Sequence, residues 1–227
     1  MKRYLFPLIL GLVGVTILLE LGFWQLRRLA WKEAMIAEIT ASIDGPAQDL
    51  PGPGTATKPL KYTPVQIVGA TTGEEILVLT GEKDVGAGYE VISAFETGEG
   101  RRLLLDRGFI AEEAKTAPRP ATAMIVTGNL HWPEERDSFT PDPDAKTGIW
   151  FARDVPAMAA ALKTEPILVV ARQIEGDAQG VETRPLGLEG IRNDHLQYAI
   201  TWFSLALVWL GMTGLLLWRV RRRTAGA

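Results

Sequence analysis

The chain offers few side chains that carry metal or nucleophilic chemistry. Its 227 residues include no Cys and only two His, His131 and His195. Without cysteine there is no disulfide, no thiolate metal centre and no thiol nucleophile. A neutral imidazole is still a good metal ligand, so the surroundings of each histidine decide what chemistry is open to the chain.

His195 lies in the sequence RNDHLQYAITWF, directly before a long apolar segment. Asp194 or Asn193 is placed to cap a helix that starts here, and Gln197 at the third position after Asp194 resembles a capping box. The pattern therefore predicts a helix that begins at this histidine.

On such a helix, Tyr198, Trp202 and Trp209 follow His195 on one face. An imidazole above flat aromatic rings suits a planar apolar cofactor, and histidine is a common axial ligand of haem iron. The spacing leaves an alternative open, which is an ordinary histidine among aromatic residues at a membrane interface.

The other motifs favour structure over chemistry. His131, in GNLHWPEERDSF, is interpreted as a surface or partly buried imidazole. Asp142, Asp144 and Gly148 resemble a fragment of a calcium loop, but the ligands are too few and an acidic surface turn is favoured. Two glycine-rich triplets lack the lysine of a phosphate loop, and no serine lies in a G-x-S-x-G elbow.

Two apolar segments predict transmembrane helices. Residues 4–24 form the first, and residues 196–218 form the second, of which Ala199 to Trp218 contains no ionisable side chain. Each is long enough to cross a bilayer core of about 30 Å. A cleaved signal peptide is the alternative for the first segment. Gly211 and Gly214, with Ser204 and Ala206, offer small surfaces for packing against another helix.

The charges are distributed unevenly around a net value of −3. Lys2 and Arg3 precede the first span, and an arginine-rich tail, residues 219–227, follows the second, whereas the middle is acidic. This profile argues against nucleic-acid binding. By the positive-inside rule both termini are cytoplasmic and residues 25–195 form a domain across the membrane, although Arg27 and Arg28 argue the other way.

The domain between the spans reads as a mainly antiparallel sheet with one or two helices, so the predicted fold class is a membrane-anchored α+β protein. The first span continues as a helix to about Ser42, and residues 45–59 are predicted to be irregular. A second helix is predicted at Asp154–Leu162, where Asp154 is the cap. The predicted strands are Tyr62–Gly69, Glu75–Thr80, Tyr89–Phe95, Arg102–Ile110, Ala123–Trp132, Gly148–Ala152 and Ile167–Gln173.

The sequence also resembles the Surfeit-locus family of cytochrome c oxidase assembly proteins, in a bacterial version. Five blocks occur in the family's order, and the last is the most specific; they are GFWQLRRLAWK, GYEVISAF, LLDRGFI, TGNLHWPE and NDHLQYAITWF. The chain departs mildly from the family at Asp194, where the family usually has Asn, and at Asp106 and Phe109, where it usually has Asn and Trp. Between them, Arg107 is interpreted as an internal salt-bridge partner, with a haem-propionate role as the alternative, and Gly108 as a turn residue.

The resemblance implies a non-enzymatic assembly factor of the haem-copper oxidase in the bacterial inner membrane, with its central domain in the periplasm. It implies that haem a binds with His195 as the axial ligand of iron and is delivered to or inserted into subunit I. Tyr198 and Trp202 would line the haem, and Trp24 and Gln25 would approach from the other span. The expected partners are subunit I, haem a synthase and membrane lipid. The alternative is a scaffold that binds haem a synthase or nascent subunit I and holds no haem.

Overall fold

The computed structural model describes residues 2–55, 58–82, 86–144, 146–187 and 193–225. It has two long terminal helices and a central sheet-rich part, as the sequence predicts. The helices are α1 (Lys2–Ile43), α2 (Val155–Leu162) and α3 (His195–Ala225). The strands are β1 (Gln48–Asp49), β2 (Pro64–Glu82), β3 (Gly86–Thr97), β4 (Arg102–Ala111), β5 (Ala123–His131), β6 (Ile149–Trp150) and β7 (Leu168–Gly176).

The chain divides into two compact units. The helix unit comprises Met1–Glu38 with Leu188–Ala227, and the sheet unit comprises Ile39–Gly187. The side chains of Lys2, Arg3 and Arg223, which enter the topology prediction, lie outside the described residues.

Both terminal helices are longer than a bilayer is thick. At about 1.5 Å per residue, α1 is about 60 Å long and α3 about 45 Å, against a hydrocarbon core of about 30 Å. The segments Leu5–Ile43 and His195–Arg222 are apolar enough to cross a membrane, by length and composition. Large apolar side chains such as Phe6 and Leu207 are exposed on them, so most of their apolar surface is not buried within the chain.

The sheet unit is a closed five-stranded barrel. Its strands pair in the order β2, β3, β4, β7 and β5, and β5 pairs back with β2. Four of these pairings are antiparallel, and β4 with β7 is parallel. Because the sheet closes on itself, these five strands leave no unpaired sheet edge between them. Small closed barrels of this class include the OB folds.

Closure depends on β2, which replaces two predicted strands. The sequence predicts Tyr62–Gly69 and Glu75–Thr80 with a turn between them, but the chain continues as one strand of 19 residues. The turn residues form an irregularity of this strand, where the register with β3 shifts between Thr71 and Glu75. The first half of β2 pairs with β5 and the second half pairs with β3 and, in parallel, with β6. The polar turn signal therefore marks a register shift that follows the last residues of β2 paired with β5.

The prediction was also wrong in two smaller places. Residues 45–59, predicted to be irregular, contain the two-residue strand β1, which pairs in parallel with β2. The predicted strand Gly148–Ala152 shortens to β6, which has two residues. Both short strands form because they pair with β2, and a partner so distant in sequence cannot be predicted from the local sequence.

The core fills the barrel and continues outside it. Alternate residues of β4 point to opposite sides, so that Leu103 and Leu105 lie in the barrel with Phe95, whereas Leu104 packs outside with Met158 of α2. This explains why β4 is an apolar run without alternation, since both of its faces are buried.

Helix α2 begins as the sequence predicts. The carboxylate of Asp154 accepts a hydrogen bond from the backbone N–H of Ala157 at 3.2 Å, and Pro156 occupies the first turn, where its missing N–H is not needed. The apolar side chains Val155, Met158 and Leu162 then face the barrel's outer surface.

The last turn of α1 belongs to the sheet unit and is held there by polar side chains. The main-chain oxygen of Ile43 accepts hydrogen bonds from Nδ2 of Asn129 and from the guanidinium of Arg172, both at 2.9 Å. The same Asn129 amide also donates to the main-chain oxygen of Tyr62. These donors satisfy a carbonyl that a helix end leaves without a partner, and the arginine charge complements the helix dipole.

We expect Leu105→Ala to destabilise the sheet unit by about 2–5 kcal/mol, because it removes a fully buried side chain and leaves a cavity inside the barrel. Leu79→Ala is the matched control, since Leu79 is 41% exposed on β2, and we expect a loss below about 1 kcal/mol. Denaturant unfolding of the full chain in detergent measures both. Equal losses would show that the barrel interior is not the stability core.

Candidate functional site

The first candidate site is the contact between His195 and Gln25 in the helix unit. Helix α3 begins at His195, as predicted, and its first turn is closed by the Tyr198 N–H, which donates to the main-chain oxygen of Asp194. The Nδ1 atom of His195 lies 2.7 Å from Oε1 of Gln25 on α1. Gln25 is only 8% exposed, so this pair of residues is largely shielded from solvent on the glutamine side.

Close packing of α1 against α3 brings these two residues together. Three glycines of α1 leave no room for a side-chain carbon, because Thr213 lies against Gly11, Trp209 against Gly14 and Phe203 against Gly22. The order of these contacts shows that the helices are antiparallel. Two further residues of α3, Ala199 and Ala206, are buried. Small residues at such positions let two helix backbones approach closely.

The aromatic residues predicted to share a face with His195 divide into two groups. Trp209 packs on α1, and its indole N–H donates to the main-chain oxygen of Gly11 at 3.2 Å. Tyr198 is 54% exposed and Trp202 is half-buried. At 100° per residue Trp202 lies about 20° from His195 around the helix and Tyr198 about 60°, so Trp202 lies within the stripe that faces α1 and Tyr198 at its edge.

Trp24 does not point in the same direction as its neighbour Gln25. Adjacent residues of a helix are separated by about 100°, and Trp24 is half exposed whereas Gln25 is buried. The structure therefore brings Gln25 to His195 and leaves Trp24 on the outer surface of the same helical turn.

A buried acceptor without a partner lies two residues before His195. The Oδ1 atom of Asn193 is buried and accepts no hydrogen bond from the described residues. An unsatisfied buried acceptor is unfavourable, and a ligand that donates a hydrogen bond would satisfy it.

These residues fit a metal ion that is already coordinated within a cofactor, and not a bare metal ion. Among the described residues, no group of three or more His, Asp or Glu side chains is placed to hold a bare metal ion. A haem iron already has four porphyrin nitrogens and needs one axial imidazole, with apolar and aromatic surface for the macrocycle. A single His195 beside Tyr198 and Trp202 has this composition.

Of the small residues predicted on α3, Ala206 is buried, but Gly211 and Gly214 do not contribute to this packing. No atom lies within 4 Å of the position that a Cβ would occupy at Gly211 or Gly214. Within the described chain the two glycines of the predicted small surface are therefore open, and the glycines at the helix contact come from α1.

A second group of polar residues, missed by the sequence analysis, lies in the sheet unit. Arg153 forms ion pairs with three carboxylates from different elements: Glu90 of β3 at 3.3 Å, Asp106 of β4 at 3.0 Å, and Glu135 after β5. We call these four residues the Arg153 cluster. Its signal in the sequence is the charge of Asp106 within an apolar strand, since a buried charge needs a partner.

Burial shifts the ionisation of the cluster. Asp106 is 2% exposed, and its desolvation, together with the neighbouring charge of Glu90, raises its pKa to about 7 despite the nearby arginine. Desolvation also raises the pKa of Glu90. Two carboxylates that share one guanidinium nitrogen in a low-dielectric interior do not both ionise easily.

The motif around Arg107 has a structural role that differs from the prediction. Arg107 is buried and donates to Oε1 of Gln179 and to the main-chain oxygen of Ala178, so its hydrogen-bond partners among the described residues are neutral. Burial lowers its pKa. Gly108 lies in a bulge of β4 and not in a turn, with φ at +115°, and a side chain there would collide with the main chain of Glu182.

The remaining candidate residues are structural in the described chain. His131 is buried at the end of β5, and desolvation and the charge of Lys61 lower its pKa to about 4. Its Nδ1 has no partner among the described residues. Asp142 pairs with Arg136, and Asp144 caps its own turn by accepting from Lys146 N–H and the Thr147 hydroxyl. The interpretation of an acidic surface turn accounts for these contacts.

The fold and the site define a class of protein in which a small closed barrel lies, in sequence, between two apolar helices that pair through a histidine. Comparison with known proteins gives the family, since the model of the SURF1 family matches residues 12–207. The chain belongs to the SURF1 family, and the resemblance is confirmed.

Relatives from bacteria and animals match most of the chain. A SURF1-like protein of Rickettsia felis is 32% identical over 209 residues, which are 86% of this chain and 90% of the relative. Surfeit locus protein 1 of Xenopus tropicalis is 29% identical and covers 82% of this chain and 67% of its own length. Surfeit locus protein 1 of Homo sapiens is 28% identical, with 87% and 73% covered.

The Arg153 cluster predicts a particular dependence of stability on pH. The raised pKa keeps the Asp106 proton bound in the folded chain up to about pH 7, whereas an unfolded aspartate loses its proton near its ordinary pKa of 3.8. The folded state therefore binds more protons in this window, and this contribution to stability is lost as pH rises through about 7. His131 acts oppositely, since the unfolded imidazole binds a proton below about 6.5 and the folded one does not.

We expect Asp106→Asn to remove the pH-dependent contribution of Asp106 to stability and to leave that of His131. As the pH is raised from 4 to 7, the free energy of unfolding of the variant should then rise more, or fall less, than that of the wild type. Urea unfolding of the full chain in detergent at several pH values gives this slope. Asp142→Asn controls for the change in net charge at an exposed carboxylate. Parallel slopes in wild type and Asp106→Asn would contradict the raised pKa.

Proposed function

We propose that the chain is an assembly factor of the haem-copper cytochrome c oxidase that binds haem a and assists its delivery to or insertion into subunit I. Membership of the SURF1 family supports the role in oxidase assembly. The observation that carries the haem proposal is the contact of His195 with Gln25, because it presents one ordered imidazole beside exposed aromatic rings. This combination suits a cofactor whose iron lacks one axial ligand.

We further propose that α1 and α3 anchor the chain in the bacterial inner membrane. Their exposed apolar side chains support this, because such a surface is unfavourable in water. The arginine-rich C-terminal end of α3 supports cytoplasmic termini, and the sheet unit is then periplasmic. His195, at the N-terminal end of α3, comes to lie near the outer face of the membrane.

Each residue of the site has a separate task in this proposal. His195 supplies a nitrogen lone pair to the iron, and haem a supplies the redox-active iron porphyrin that the oxidase needs. Tyr198 and Trp202 offer apolar faces to the macrocycle and exclude water from it, whereas Trp24, on the outer surface of α1, has no task in this proposal. Asn193 supplies an acceptor for a hydrogen-bond donor of the ligand. Because these tasks are binding and release, we propose a carrier and not an enzyme.

We expect His195→Ala to lower the amount of haem a per mole of purified chain by about tenfold or more, because the iron loses its axial nitrogen. The visible spectrum of chain co-expressed with a haem a-producing pathway measures this. His131→Gln is the matched control, since it removes the other histidine of the chain and should retain haem. Thermal unfolding must be unchanged in His195→Ala. Equal haem in wild type and His195→Ala would refute the ligand role.

A scaffold without haem is the second candidate function. The open surface at Gly211 and Gly214 favours it, because a helix of haem a synthase or of nascent subunit I would pack closely there. The two functions differ in one measurable quantity, which is the haem content of the wild-type chain. Chain that co-purifies with subunit I or haem a synthase but never with haem would favour the scaffold.

The proposed topology is testable by single-cysteine labelling, because the chain has no cysteine of its own. Ser138 is exposed in the sheet unit. We expect Ser138→Cys to react with a membrane-impermeant maleimide in intact spheroplasts and Ala227→Cys to react only after the membrane is permeabilised. The reverse pattern would place the sheet unit in the cytoplasm and contradict the orientation.

A further inference from the structure

The contact between Gln25 and His195 constrains which nitrogen of the imidazole carries the proton. The two atoms in contact are Nδ1 of the ring and Oε1 of the amide, 2.7 Å apart. An amide oxygen accepts hydrogen bonds and does not donate them, so the proton between these atoms is on Nδ1. A neutral imidazole has one N–H, and Nε2 is therefore left with its lone pair.

The same contact also fixes the orientation of the ring. Gln25 lies on α1 and is buried where the two helices meet. The packing of the helices around it therefore holds its side-chain oxygen in place. The ring is attached to α3 at one side and bonded to α1 at Nδ1. Among the described residues, the ring of His195 has no other hydrogen-bond partner. Tautomer and ring orientation thus depend on a single side chain.

We propose that Gln25 is a positioning residue: its side-chain oxygen accepts the Nδ1–H of His195 and keeps Nε2 unprotonated and oriented for iron. This inference deepens the proposed function and rests on it for the identity of the ligand. The physical reason is general, since metal-bound histidines usually donate their second N–H to an acceptor that sets the tautomer. Gln25 touches the histidine, and its effect on the metal is exerted through that ring.

The tautomer is measurable without haem. The probe is the full chain in detergent, free of haem and labelled with ¹⁵N at its two histidines, at a pH where the imidazoles are neutral. Long-range ¹H–¹⁵N correlation spectra show which ring nitrogen is protonated, and His195→Ala assigns the signals. We expect the wild type to carry the proton on Nδ1 of His195.

Three variants separate the hydrogen bond from the packing around it. Gln25→Leu keeps the size of the side chain but removes the acceptor, so we expect a shift towards the Nε2–H tautomer. Gln25→Glu keeps an acceptor oxygen and should retain the Nδ1–H form. Gln197→Leu is the matched control, since Gln197 is an exposed glutamine two residues from His195 and should change nothing. Unfolding temperatures of the variants show whether the helix pair remains intact.

Titration with haem then links the tautomer to binding. We expect Gln25→Leu to weaken haem binding about 10- to 100-fold, the usual loss when the partner of a metal-bound histidine is removed, and Gln25→Glu to restore it. An Nε2–H tautomer in the wild type, or identical tautomers in wild type and Gln25→Leu, would overturn the inference even if His195 binds haem. A wild type that binds no haem would refute the proposed function while leaving the tautomer result in place.

Discussion

The candidate site depends on how closely α1 and α3 approach each other. At Gly11, Gly14 and Gly22 the backbone of α1 lies directly against side chains of α3, and a single methyl group would separate the helices. Glycines at these positions let the two helix backbones approach closely, and dispersion contacts and a few polar contacts hold the helices together. The hydrogen bond between His195 and Gln25 is available only at this separation. The glycines are thus part of the site, although they touch no ligand.

The sheet unit follows a different constraint, which is closure of the barrel by one long strand. Since β2 shifts its register and changes partners, it pairs with β5, β3 and β6. Closure buries β4 on both faces and places Asp106 where its charge is unfavourable without Arg153. The resulting cluster joins β3, β4 and the segments that precede α2, so its protonation couples the stability of these elements to pH.

The two units differ in the kind of chemistry that they offer. In the sheet unit the charged groups of the Arg153 cluster pair with each other, although Nδ1 of His131 has no partner among the described residues. The described charges there leave no cluster suited to a bare metal ion. The helix unit offers a histidine with one nitrogen engaged, an acceptor on Asn193 that has no partner among the described residues, and exposed aromatic rings. The difference between the units therefore lies in the exposed rings beside an oriented imidazole, which occur in the helix unit.

The sequence by itself determined the elements whose signals are local. The apolar lengths of α1 and α3, the cap at Asp154 and the start of α3 at His195 follow from composition and spacing over a few residues. Most strands were predicted for the same reason, and the family blocks indicated which histidine to examine. The tertiary structure decided whatever depends on partners distant in sequence. It joined two predicted strands into β2 and placed Gly108 in a bulge.

Tertiary contacts also gave Asp106 its cation and paired Gln25 with a residue 170 positions away. The physical reason is that a hydrogen bond or an ion pair requires two groups within about 3 Å. Only the packing of helices and the closure of the barrel bring such groups together, and neither is encoded in the neighbourhood of a single residue.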